Sequence, residues 1–317
     1  MQLLRRHRLV TGICALVLLA GSYYFFIAAP ADFPSGKILS IARGESTADI
    51  AAELYAARIV RSATGLELLL RLSGVSAHVQ AGTYLFSRRE NALAVAYRLA
   101  TGAYDVSPVT VTFPEGVTVR DIAERVGTAL SPSIGASVAK LGREREGYLF
   151  PDTYRLSPDA TAESIIALLR SNFYTKTAAL APDIASSSHT FAEIVTLASL
   201  VEKEARTDEN RRLVAGVLWN RLERKMPLQV DAVFGYIYNR DTYSPSLADL
   251  TVDSPYNVYI HQGLPPGPIC NPGLSSIAAA LHPTPTKYLY YLTDKEGVMH
   301  YATTFAAHQA NEQKYLR

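Results

Sequence analysis

The stretch LASLVEKEART, Leu197 to Thr207, closes an apolar run with two glutamates one lysine apart, Glu202 and Glu204. Set on a helix, Ile194, Leu197, Leu200 and Val201 form one apolar arc. Glu204 falls about 20° from Leu197 and one turn beyond Leu200, whereas Glu202 lies about 160° from Glu204. A carboxyl held against apolar surface is disfavoured in its charged form, so its pKa rises toward the range a general acid needs near neutrality. Glu204 is therefore the candidate proton donor, and replacing Glu202 is expected to be mild by comparison. Spacing alone also allows both glutamates to be solvated at a helix end, because Glu is rarely buried.

Three other segments gather polar and aromatic residues. EREGYLFPDTYRLSP (144–158) holds Glu146 and Asp152 among aromatics, and MPLQVDAVFGYIYNRD (226–241) sets Gln229 and Asp231 beside tyrosines. SPYNVYIHQGLPPGPICNPGLSSI (254–277) is a Gly- and Pro-rich loop bearing Tyr256 and Asn257. A loop of that length is usually functional or disordered, and its Tyr and Ile content argues for order. Tyrosines beside amides and carboxyls suit a sugar, which offers an apolar face and a hydroxyl rim. The loop is expected to wall a cleft opposite Glu204, and Tyr256 or Asn257 to be replaceable with little loss of stability. Each segment can equally be read as a structural turn.

Other chemistries lack their residues. There is no G-x-S-x-G, H-E-x-x-H, Walker loop or paired C-x-x-C, and the seven histidines have no metal-ligand spacing. No metal and no cofactor is expected. A net charge of +2 gives no field for nucleic acid. Cys14 and Cys270 offer no disulfide framework.

The elements around these residues read as α+β. At 317 residues and 48% hydrophobic, the chain can bury a sizeable core. Arg5, Arg6 and Arg8 precede an uncharged span from Val10 to Ala31, and about 20 apolar residues cross a bilayer. This predicts a cytoplasmic tail over 1–8 and a transmembrane helix over 9–29, with Tyr23 and Tyr24 at the far interface. A cleavable signal peptide is the rival, since Ala29-Pro30-Ala31 has the A-x-A form, but a signal core is usually about 7–15 residues. Either way, the chain beyond residue 32 is expected to be exported.

Residues 37–60 then read as strand, turn and helix, with Ser46 as N-cap and Asp49 three residues on. Residues 109–130 repeat that plan with Thr118 and Asp121. Helices are predicted over 65–74, 90–102, 162–172, 190–205, 209–224 and 274–281, a short strand over 81–86, and a strand pair near KYLYYLTD and VMHYATT.

LASLVEKEA, EGYLFPDTY, VLWNRLERKMPLQVD, YNVYIHQGLPPGPICNPG and HPTPTKYLYYL, in that order, resemble the YceG-like endolytic murein transglycosylase family (MltG) from about residue 36 to the C-terminus. The RGEST…DIA segment resembles the LysM-like domain found there. The resemblance implies a small LysM-like module over 36–105 and a larger mixed α/β catalytic domain over 106–317. It also implies a catalytic glutamate in the V-E-K-E helix, carried onto Glu204. The family's LQTDPT is LQVDAV here, with Val230, Ala232 and Val233 in place of Thr, Pro and Thr.

The function so implied is a membrane-anchored lytic transglycosylase that cuts the β-1,4 MurNAc–GlcNAc bond within peptidoglycan strands and leaves 1,6-anhydromuramyl ends. Glu146, Gln229, Asp231, Tyr256 and Asn257 are the candidate sugar-binding or glutamate-orienting residues. Nascent glycan strands, the inner membrane and peptidoglycan synthases are the implied partners. A hydrolytic muramidase, using Glu146 or Asp231 as second carboxylate, and a non-catalytic wall-binding scaffold are the alternatives.

Overall fold

The computed structural model describes residues 2–42, 44–74, 79–240 and 244–316, with the backbone alone over 2–10. Arg43, which opens the RGEST motif, and Asp241, which closes the 226–241 segment, lie outside the described residues, as do the side chains of Arg5, Arg6 and Arg8. Among the described residues the architecture is mixed, with helices and three two-stranded antiparallel sheets. Two strands alone are marginal in water, so each pair depends on the helices packed against it. The chain divides into two compact units, one of residues 1–108 with 157–159 and the other of 109–156 with 160–317.

In the first unit, helix α1 spans Gln2–Phe26. Among the described residues no single helix is long and apolar enough to cross a membrane; the described apolar part of α1 is Thr11–Phe26. Strand β1 (Lys37–Ile41) pairs with β2 (Gly82–Phe86), Lys37 opposite Phe86 and Ile41 opposite Gly82. Between and after them come α2 (Thr47–Ala56), α3 (Ala63–Leu72) and α4 (Ala92–Thr101). The Ser46 side chain accepts from the Asp49 N–H and so caps α2, as the sequence predicts. Gly102 ends α4 in the left-handed conformation that a Cβ disfavours. Leu39, Ile50, Leu54, Leu66, Tyr84, Phe86 and Leu99 fill one core.

The second unit begins with β3 (Val109–Thr112), α5 (Val119–Ala129) and α6 (Pro132–Gly142). Thr118 and Asp121 form a full capping box on α5. Strand β4 (Thr153–Leu156) pairs with β3, Val109 opposite Leu156. Helices α7 (Ala162–Thr177), α8 (Ala181–Ser186), α9 (Phe191–Glu204) and α10 (Asp208–Glu223) follow. Next come α11 (Ala232–Tyr238), α12 (Leu274–Leu281), the hairpin β5 (Tyr290–Thr293) and β6 (Met299–Ala302), and α13 (Phe305–Tyr315).

Helix α9 is the axis of this unit. Every residue from Ile194 to Val201 is buried, more than the single arc drawn from the sequence, because α10, α11 and α12 pack around it. A helix enclosed on all sides is apolar or small on all sides, and here Val195, Thr196, Ala198 and Ser199 occupy the remaining face. Ser199 uses its hydroxyl to hold the Ile269 N–H at 3.0 Å. The helix starts at a Thr190–Glu193 capping box and unwinds at Ala205, whose backbone is extended.

Candidate active site

The last turn of α9 opens on a groove of about 990 Å³, with Lys203, Glu204, Glu146, Asp231, Tyr236 and Ile269 among its walls. Glu204 is half-buried as a residue, with its carboxyl enclosed. Burial pushes the pKa up to about 7, the opposing pull being a hydrogen bond from the Tyr291 hydroxyl to Oε2 at 3.0 Å. The nearby Asp231 charge raises it further. A carboxyl of this kind holds a proton at neutral pH and can give it up, which is the working range of an acid–base catalyst.

Glu202 departs from the expectation of a tolerant position. Its side chain is 6% exposed, receives the Arg211 guanidinium at 3.1 Å, and accepts the Gly273 N–H at 2.9 Å. Gly273 is the N-cap of α12, so Glu202 ties α9 to α10 and to a helix N-terminus that favours negative charge. The helical wheel separates the two glutamates correctly in direction, but it cannot show that α10 and the 271–273 segment cover the second face. Pairing with a cation, rather than exposure, is what distinguishes Glu202 from Glu204.

Asp231 lines the groove just before α11 and receives a hydrogen bond from the Tyr259 hydroxyl. Gln229 has a left-handed backbone (φ 51°), and its N–H donates to the Val258 carbonyl at 3.1 Å. The Gln229 side chain accepts from Arg221 at 3.3 Å and is not part of the groove wall. Arg221, 6% exposed, is the hub of this region. It donates to the carbonyls of Pro227, Leu228 and Leu289 and lies over the Tyr290 ring. One buried cation thus fixes both the segment carrying Asp231 and the strand carrying Tyr291.

Glu146 lies on the groove wall next to α5. It accepts the Val119 N–H at 3.1 Å and the Asn271 amide at 2.8 Å. Burial is the main cause that pushes its pKa up to about 7, against those donors. Gly147 beside it has φ +85°, and a Cβ there would collide with Pro268, so this turn requires glycine. Asp152, the other acid of that segment, instead bonds Asn172 and Lys176.

The Gly-Pro loop behaves differently from the cleft wall expected of it. Asn257 is fully buried; its amide donates to the Leu250 and Val252 carbonyls at 3.1 and 2.9 Å, and its oxygen accepts from the Tyr259 N–H. These bonds occupy it as a bracket inside the loop and leave nothing to face a ligand. Tyr256 is half-buried, bonds and packs against Tyr236 with ring centroids 4.9 Å apart, and reaches the groove only through that neighbour. Ile269 is the loop's contribution to the wall; α11 supplies most of that side through Ala232, Gly235, Tyr236 and Ile237. Short helices with a central glycine carry little periodicity, and α11 has only seven residues, so its segment reads as a turn.

Tyr291, Tyr259, Arg221 and Asn271 were not singled out from sequence. The one available signal was the tyrosine run in KYLYYLTD, but which tyrosine turns inward depends on pairing of β5 with β6. Among the described residues no group of three or more His, Cys, Asp or Glu side chains is placed to hold a metal ion.

The sequence pattern of the YceG-like family matches residues 39–314. The chain belongs to the YceG-like family. A relative named endolytic murein transglycosylase in Bacillus subtilis (strain 168) is 31% identical over 307 residues, which cover 88% of this chain and 84% of the relative. A protein of the same name in Streptococcus pneumoniae serotype 2 is 30% identical over 331 residues, 90% of this chain. The chain spans 60% of that longer relative. Among solved structures, a putative YceG-like protein from Listeria monocytogenes superposes with a TM-score of 0.57 at 27% identity. The match covers 87% of this chain and 99% of that one.

Proposed function

We propose that this YceG-like chain is a lytic transglycosylase that cuts the β-1,4 bond between N-acetylmuramic acid and N-acetylglucosamine within peptidoglycan strands. The observation that carries the reading is Glu204, an enclosed carboxyl with a pKa near 7 at the end of the core helix, facing a groove large enough for sugars. The names of the relatives supply the substrate class. Protonated Glu204 gives its proton to the leaving glycosidic oxygen. The resulting carboxylate takes the proton of the muramyl C6 hydroxyl as that oxygen bonds to C1, closing a 1,6-anhydro ring. The nucleophile comes from the substrate, so one carboxyl serves as acid and then base, where an ordinary glycosidase uses two.

A muramidase is the second reading, and one observation favours it: Asp231 is close enough to Glu204 for its charge to raise the Glu204 pKa. A carboxylate there could activate water. The two readings differ in product.

The first unit fits a LysM-like module that holds glycan, and α1 fits a membrane anchor. Its residues beyond Arg8, at 1.5 Å each, give about 27 Å against a hydrocarbon core of roughly 30 Å. The basic residues in its first turns favour a cytoplasmic N-terminus and an exported second unit. Tethered so, the enzyme would meet nascent strands and their synthases. Incubation of purified glycan strands with wild type and with Glu204→Gln tests the reading. Wild type should shorten the strands and the variant should not; equal shortening by both would remove Glu204 from the chemistry, and none by either would favour a scaffold.

A further inference from the structure

One wall of the Glu204 groove carries exposed arginines. Arg120 and Arg143 both line it and both are exposed. Arg120 stands in the first turn of α5, where the helix dipole favours anions and disfavours a cation. Its bond within the protein is a long one, 3.5 Å to the Asn239 carbonyl. Arg143, in the 3₁₀ turn Arg143–Arg145 after α6, lies near enough to Tyr236 for its charge to act on that phenol.

The acids of the groove already have donors. Asp121 is held by the Thr118 N–H and hydroxyl, Glu146 by Val119 and Asn271, Asp231 by Tyr259 and Glu204 by Tyr291. Glu124, one turn along α5 from Arg120, is the remaining counter-charge, and no ion pair joins the two among the described residues. The guanidinium groups therefore face the groove as carboxylate receptors, a role that their planar two-donor edge suits.

Resting on the reading of peptidoglycan as substrate, we infer that Arg120 and Arg143 bind the free carboxylates of the stem peptide carried on the muramyl lactyl group. The groove then selects strands whose stem peptides carry free carboxylates over strands whose carboxyls are blocked. Glu204 acts on the sugar backbone while the arginine wall reads the peptide substituent. Contacts of this exposed kind are screened by salt, so the selection is strongest at low ionic strength.

The test uses the full chain carrying Glu204→Gln, with two probes. One is soluble peptide-bearing glycan strands. The other is the same strands with their carboxyls coupled to methylamine, which removes charge and keeps size. Binding is measured at low and at high salt. The free-carboxyl strands should bind roughly five- to tenfold more tightly at low salt, from two exposed charge contacts. Arg120→Ala with Arg143→Ala should erase that ratio without lowering the affinity for the coupled strands. Arg120→Lys with Arg143→Lys should keep part of it, and a thermal melt checks that each variant is folded. Equal affinity for the two probes, or an unchanged ratio in the double alanine variant, overturns the inference. No binding of either probe, together with no cleavage by wild type, would overturn the peptidoglycan reading itself.

Discussion

The Tyr291 hydroxyl donates to Glu204 Oε2 across 87 residues of sequence, 3.0 Å from strand to helix end. Because Oε2 accepts that bond, the acid proton of Glu204 belongs on Oε1. Tyr291→Phe removes a donor that favours the carboxylate, so the Glu204 pKa should rise above its value of about 7. The alkaline limb of kcat/KM, where the acid form is lost, should move to higher pH in this variant, with KM little changed. An unmoved limb would separate Tyr291 from the catalytic proton.

Glu204→Gln keeps the shape of the side chain and cannot cycle a proton. Cleavage should fall by about 10²–10⁴, the usual worth of positioned proton transfer, with Tm held or raised. Steady-state rates and a thermal melt on the same preparation check both halves.

Glu202 gives the opposite pattern. Glu202→Ala leaves the Gly273 N–H without its acceptor and Arg211, 12% exposed, with only its longer contacts to Asp208 and Glu115. Loss of one member of a buried pair costs about 3–5 kcal/mol when the other is left unpaired; because Asp208 and Glu115 remain, denaturant unfolding should show a clear drop that stays below that range. Residual activity should scale with the folded fraction. A stable Glu202→Ala variant with no activity would place Glu202 in the chemistry.

Stability itself should depend on pH. Glu146 and Glu204 have folded pKa values raised from 4.5 to about 7. Between those values the folded chain binds more protons than the unfolded chain. Their contribution is therefore fully present below about pH 4.5 and is lost as pH rises through 7. Unfolding free energies across that window should decline in wild type and decline less in Glu146→Gln or Glu204→Gln.

Asn257→Ala should lower stability by about 1–3 kcal/mol, since the half-buried Leu250 and Val252 carbonyls lose their donors. Activity per folded molecule should be retained. An active-site role would instead lower turnover at unchanged Tm.

Local chemistry made much of this molecule legible in its sequence. Ser46 and Thr118 cap helices through bonds made within three residues, and such bonds leave a spacing to be read. The enclosure of the Glu204 carboxyl was legible for the same reason, through its angle to Leu197 on one helix. Long-range closure was not. Tyr291 is placed by a hairpin register, Asn271 bridges Val117, Glu146 and Leu149 from far along the chain, and Arg221 binds carbonyls on two segments. Asn257 and Glu202 misled for a related reason: their types suit a ligand or solvent, and only the tertiary fold shows the backbone or cation that occupies them.

The central claim is that Glu204 drives closure of an anhydro ring rather than attack by water. Digestion of glycan strands in oxygen-18 water, with mass spectrometry of the new muramyl ends, tests it most directly. The account predicts ends lighter by one water, free of the heavy isotope, produced by wild type and absent with Glu204→Gln. Reducing muramic acid ends carrying one heavy oxygen per cut would contradict it and transfer the second step to water.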